Sequence, residues 1–113
     1  MNEVRNVALI TIDCLRADHL QAYGYDRETA PFLTEIAEQS VVFENAFATG
    51  PGTYISFPSI FTGTYPFDFG GYARLSEKRT PIAEAISDHN IATAGIHSNT
   101  YLSRAFGYQR GFD

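Results

Sequence analysis

Two oxygen-bearing side chains stand where chemistry could be done. Ser56 follows a pliable stretch, Thr49-Gly50-Pro51-Gly52-Thr53, and precedes Pro58, which opens a short apolar run ending at Gly63. A hydroxyl on the lip of a helix can cap backbone N–H groups. It can also attack, because the same N–H groups and the helix dipole favour an incoming anion and a developing alkoxide. A serine nucleophile then needs a base or a metal to activate it. Asp13 ends the apolar run at residues 7–12, and open α/β sheets bind ligands beyond the carboxyl ends of their strands. Its hard oxygens suit Ca²⁺, Mg²⁺ or Mn²⁺ and can serve Zn²⁺. The alternative is an ordinary turn aspartate.

Other candidates carry less. His19 lies in the loop after Asp13, His89 where a helix should end, and His97 after the third apolar run. A lone histidine is usually structural or solvated. Cys14 is a single thiol without a second soft ligand. No Gly-x-Ser-x-Gly elbow and no phosphate loop of the Walker or Rossmann type is present.

The elements that would position these residues follow from apolar patterning. Residues 7–12 read as a buried strand, and polar, turn-prone sequence follows. Thr29 and Pro31 mark a helix start, with Phe32, Leu33, Ile36 and Ala37 on one face. Residues 41–47 and 91–96 read as further strands, and residues 64–79 as a loop. Thr80-Pro81 opens another helix with Ile82, Ala85 and Ile86 as its stripe, ended by Asp88-His89-Asn90. This order predicts an α/β fold with parallel strands.

The 113 residues suit a single core. With eight basic residues against a net charge of −5, no basic patch is available for nucleic acid. The lone cysteine excludes an internal disulfide. The N-terminal apolar run is too short for a signal segment or a bilayer span, so a soluble, cytoplasmic chain with no membrane partner is expected.

In order along the chain, the segments "NVALITID", "LRADHL", "YGY", "FENAFA", "FPSIFTGTYP" and "TAGIHSNTYLSRAFGYQRGFD" resemble the N-terminal part of the sulfatases, in the alkaline phosphatase superfamily. The likeness covers nearly the whole chain. It implies a mainly parallel sheet in a partial three-layer sandwich, with residues 1–113 as the N-terminal portion of a longer domain. It implies a metal-dependent hydrolase of small-molecule sulfate or phosphate esters. Asp13 matches the family's first metal-ligand aspartate. Ser56 matches the nucleophile, which is also expected as a metal ligand beside Asp13, in the pattern Cys/Ser-x-Pro-Ser-Arg. In sulfatases that residue becomes formylglycine, whereas phosphatase-like relatives attack phosphorus with an unmodified Ser or Thr. The divalent metal implied is calcium first, with Zn, Mg or Mn as alternatives.

Three departures accompany the likeness. After the third strand, where the family carries a lysine and a histidine, the segment "GIHSN" offers His97 and Asn99. Ile60 replaces the motif's arginine, which speaks against conversion of Ser56 and removes a charge near the expected anion. Cys14 stands where many sulfatases carry a second metal aspartate. Further metal ligands in the family lie beyond position 113, so little activity is expected of these residues without a C-terminal part or a partner chain. The competing expectations are a serine phosphohydrolase or phosphodiesterase and a non-catalytic interaction module.

Overall fold

The computed structural model describes residues 6–71 and 73–113. The opening residues 1–5, and Tyr72 within the expected loop at 64–79, lie outside the described residues. The chain divides into two compact units, Met1–Ala46 and Phe47–Asp113. No described helix is long and apolar enough to cross a membrane.

The first unit is a run of turns ending in one helix. Two 3₁₀ turns, Ala17–His19 and Gln21–Tyr23, follow the polar segment, and Gly24 closes the second with φ of 91°. Helix α1 spans Pro31–Glu38, with proline in its first turn as the sequence pattern predicts. Polar links hold these pieces together. Thr29 Oγ1 donates to the His19 carbonyl at 2.7 Å, Thr34 Oγ1 to Gln21 Oε1 at 3.2 Å, and the Tyr23 hydroxyl to the Phe43 carbonyl at 3.0 Å. The α1 apolar face, Phe32, Leu33 and Ile36, is exposed.

The second unit holds the core. Helix α2 spans Thr53–Thr62 and stops at Gly63, whose φ of 66° suits a residue without a Cβ and whose N–H bonds the Ser59 carbonyl at 2.9 Å. Helix α3 spans Ile82–Ser87, preceded by Pro81 and followed by Asn90 in the left-handed region. Its buried residue is Ala83, while Ile82 and Ala85 of the expected stripe are exposed. Phe61, Leu75, Ala83 and Tyr108 form the buried cluster, with Phe57, Leu102, Phe106 and Phe112 against it. The Phe57 and Tyr108 rings meet edge-on, their centroids 5.7 Å apart. Two short 3₁₀ turns, Thr100–Leu102 and Arg104–Phe106, bring the C-terminal aromatics to this cluster. Gly111, at φ of 83°, lies so close to the α3 start that a Cβ would collide with the Glu84 backbone.

Arg79 organises the loop before α3. It is 1% exposed. Its Nη1 donates to Thr64 Oγ1, and Nη2 faces the carbonyls of Tyr65, Pro66, Asp68 and Gly71 at 2.6–3.1 Å. A buried guanidinium keeps its charge, so carbonyl dipoles must replace the water it lost. Thr64 in turn shares a 2.8 Å hydroxyl contact with Thr62, which donates to the Pro58 carbonyl inside α2. The loop is therefore folded around one cation and tied to a helix end.

The expected α/β sandwich with a mainly parallel sheet is not formed. No described residue is in a strand or a bridge. Of the three expected strands, residues 7–12 are exposed throughout, and Val41, Phe43 and Ile96 are exposed as well. The physical reason is that a strand gains its hydrogen bonds only from a neighbour. An apolar run expresses a demand for burial but does not by itself fix a pairing, and none of these runs is paired among the described residues.

Two outcomes test this account. Arg79→Lys keeps the charge but replaces the planar fork with one ammonium, leaving buried carbonyls without donors. A loss of about 3 kcal/mol in urea unfolding is expected, and a change below about 1 kcal/mol would contradict the hub. Burial pushes the Tyr108 hydroxyl up to about 12, the Arg79 charge opposing. The folded state thus favours the neutral phenol more than the unfolded chain does. The stabilisation is complete below the ordinary tyrosine value near 10 and is lost as pH rises from there through about 12. Unfolding midpoints over that range should fall in the native protein and fall less in Tyr108→Phe.

Candidate active site

Ser56 is the fourth residue of α2, so it is not the helix cap. Gly52 holds the cap position and has no side chain to offer. The Ser56 N–H bonds the Gly52 carbonyl at 2.9 Å, and its Oγ donates to the same carbonyl, also at 2.9 Å. This back-bond to the fourth residue before it is the usual resting arrangement of a serine within a helix. The hydroxyl is half-buried. In the same turn the Ile55 N–H also bonds the Gly52 carbonyl, at 3.1 Å. Ser56 and Ile60, four apart, share a face, and Ile60 is exposed. The position that carries arginine in the motif is therefore apolar here. Ser59, between them, keeps a buried Oγ without a hydrogen-bond partner among the described residues.

Asp13 lies in the other unit, in an exposed turn. Cys14 next to it takes φ of 59°, and its thiol points to Asp13 Oδ1 at 3.6 Å. Three residues on, Arg16 and His19 both bond Asp18, with His19 Nδ1 at 2.9 Å from Oδ1. The Arg16 hydrogen bond, then that of His19, holds the Asp18 carboxyl well below the usual carboxylate range.

Among the described residues, no group of three His, Cys, Asp or Glu side chains is placed to hold a metal. Calcium takes six to eight oxygens, and Asp13 supplies one carboxylate. The described residues therefore do not by themselves make a metal cage. Asp13 belongs to the first unit and Ser56 to the second.

The structure does bring a different residue to Ser56's helix. Asn99 Nδ2 donates to Thr53 Oγ1 at 3.2 Å, and Asn99 Oδ1 accepts the Tyr101 N–H at 3.0 Å. His97 Nδ1 lies 3.1 Å from the Asn99 carbonyl. His89 caps its own helix end against the Ala85 carbonyl at 2.9 Å, as a residue near a helix C-terminus does. Asn99 had only its place after the third apolar run to recommend it. A pairing across 46 residues leaves no periodic trace in sequence.

The sulfatase family model matches residues 5–113, and the chain belongs to that family. It is 31% identical over 106 residues to an N-acetylgalactosamine-6-O-sulfatase of Bacteroides thetaiotaomicron, a match that covers 94% of this chain and 19% of that protein. The chain thus spans about a fifth of the length of that curated relative. No solved structure matches it.

Because Gly52's carbonyl keeps the Ser56 N–H when the hydroxyl is removed, Ser56→Ala should cost about 1 kcal/mol or less of stability. Thermal or urea unfolding measures this. A loss above about 2 kcal/mol would make the hydroxyl a structural group.

Proposed function

We propose that Ser56 is the nucleophile position of a hydrolase acting on sulfate esters of small molecules, with this chain as its Ser56-bearing portion. The single observation that carries the reading is the family match across residues 5–113 together with Ser56 on the first turn of α2. Attack forms a bond from the residue-56 oxygen to sulfur and breaks the ester bond to the leaving alcohol. The positive end of the α2 dipole favours the anionic group under attack. The Gly52 carbonyl accepts the resting hydroxyl but is too weak a base to take its proton, so activation comes from outside this turn. Asp13 would contribute one hard oxygen to a divalent metal, and among the described residues no group of three His, Cys, Asp or Glu is placed to complete the site. The N-acetylgalactosamine 6-sulfate specificity named for the relative marks sulfated sugars as the first substrates to try.

Ile60 favours a second reading. With an exposed apolar side chain where the motif has arginine, Ser56 stays a serine and attacks phosphorus in a phosphate ester or diester. The two differ at one residue's mass. A peptide bearing residue 56 two hydrogens lighter marks formylglycine and sulfur chemistry. An unchanged mass, with aryl phosphate turned over faster than aryl sulfate, supports the serine phosphohydrolase.

The test of both is turnover of aryl sulfate and aryl phosphate by the full-length protein with divalent metal present. Ser56→Ala should lower kcat by at least about a thousandfold while the fold is retained. Unchanged turnover in that variant would end the nucleophile assignment. Absence of turnover in the native protein on either ester would favour a non-catalytic scaffold.

A further inference from the structure

Helix α2 begins without the usual means of fixing a helix start. The residues before it, Gly50-Pro51-Gly52, include two glycines, and the cap position is a glycine with no side-chain acceptor. Glycine at the cap leaves the first turn to fray more readily than Ser, Thr, Asn or Asp would. Pro58 inside the helix has no N–H to donate to the carbonyl four residues back, which weakens the ladder one turn later. A nucleophile on such a turn would wander unless something outside the helix held it.

The other end of α2 is held by the Thr62–Thr64–Arg79 chain of hydroxyl and guanidinium contacts. At the Ser56 end, the segment at residues 97–101 plays that part. Asn99 Nδ2 reaches Thr53 Oγ1 at 3.2 Å. Thr53 and Ser56 are three apart on the helix and therefore lie on one face. The Asn99 amide is fixed in turn, since its Oδ1 accepts the Tyr101 N–H and caps the 3₁₀ turn Thr100–Leu102. The same turn meets the helix a second time, where the Tyr101 and Tyr54 rings lie 5.8 Å apart.

We propose that Asn99 is a positioning residue: through the Thr53 hydroxyl it pins the first turn of α2 and so sets the placement of Ser56 for attack. The proposal rests on the nucleophile reading of Ser56. Asn99 supplies orientation rather than chemistry, and orientation is worth much in catalysis, since a misplacement of about 1 Å can cost about a hundredfold in rate.

The experiment uses the full-length protein, with Asn99→Ala, Thr53→Val, their combination, and Thr53→Ser as the hydroxyl-keeping control. Amide hydrogen exchange over residues 53–57 reports the pin without any need for turnover. Exchange there should quicken in Asn99→Ala and Thr53→Val, and stay native in Thr53→Ser. On an ester the native protein hydrolyses, kcat should fall about ten- to a hundredfold in either single variant with KM little changed. The double variant should fall no further than the singles, because both remove one contact. Native exchange over residues 53–57 in Asn99→Ala overturns the proposal. So does an unchanged kcat in Asn99→Ala when Ser56→Ala abolishes turnover, which would make the contact structural only. If Ser56→Ala keeps full turnover, the nucleophile reading has failed and takes the catalytic half of the proposal with it, whereas the exchange result still decides the pin.

Discussion

A single buried cation sets much of the second unit. Arg79 cannot shed its charge on leaving water, so the chain must surround it with oxygens. It does so with main-chain carbonyls of residues 65–71 and the Thr64 hydroxyl, while Nε stays without a partner among the described residues. A loop with no regular hydrogen-bond ladder thereby acquires one geometry. Through Thr64 and Thr62 that geometry reaches the Pro58 carbonyl and the last turn of α2. Arg110 extends the pattern, with donors to the Ser76 carbonyl and to the Glu84 carboxylate at the start of α3. Two arginines thus fasten loops to helices in a unit whose buried apolar cluster is small.

The helix so fastened is the one that carries Ser56. Its C-terminal end is stopped by Gly63 and tied to the Arg79 loop, and its N-terminal end meets Asn99 and Tyr101. Between these ties lie Ser56 and the Phe57 and Phe61 rings, which face the Tyr108 cluster. Packing and the proposed nucleophile position therefore share one short helix. Its aromatic residues anchor it, and its first turn is left accessible. The ties at both ends give a serine on a glycine-led turn a defined place.

The first unit is of a different kind. Its turns are closed by threonine and tyrosine hydroxyls, and none of its described residues is buried. The Asp13 turn and the Arg16–Asp18–His19 group lie here, on exposed backbone. Carboxylates in such surroundings remain well hydrated, and the low Asp18 value reflects hydrogen bonds from its neighbours rather than burial.

Local signals were legible in the sequence wherever the physics is local. Pro31 before an apolar stripe gave α1, Gly63 gave the stop of α2, and Pro81 with Asn90 bounded α3, because fixed φ values and left-handed tolerance belong to single residues. The ordered segments also carried the family, and with it Ser56 as the residue to examine. Tertiary structure decided the rest. The three apolar runs were read as strands, yet pairing depends on a neighbour that no run contains in itself. Ser56 was weighed as a cap, yet the helix begins three residues earlier, at Thr53. Arg79 lies in a loop and Asn99 after the third apolar run, and neither position by itself announces a partner. What each does depends on oxygens 8 to 46 residues away, brought within hydrogen-bond reach only when the chain folds.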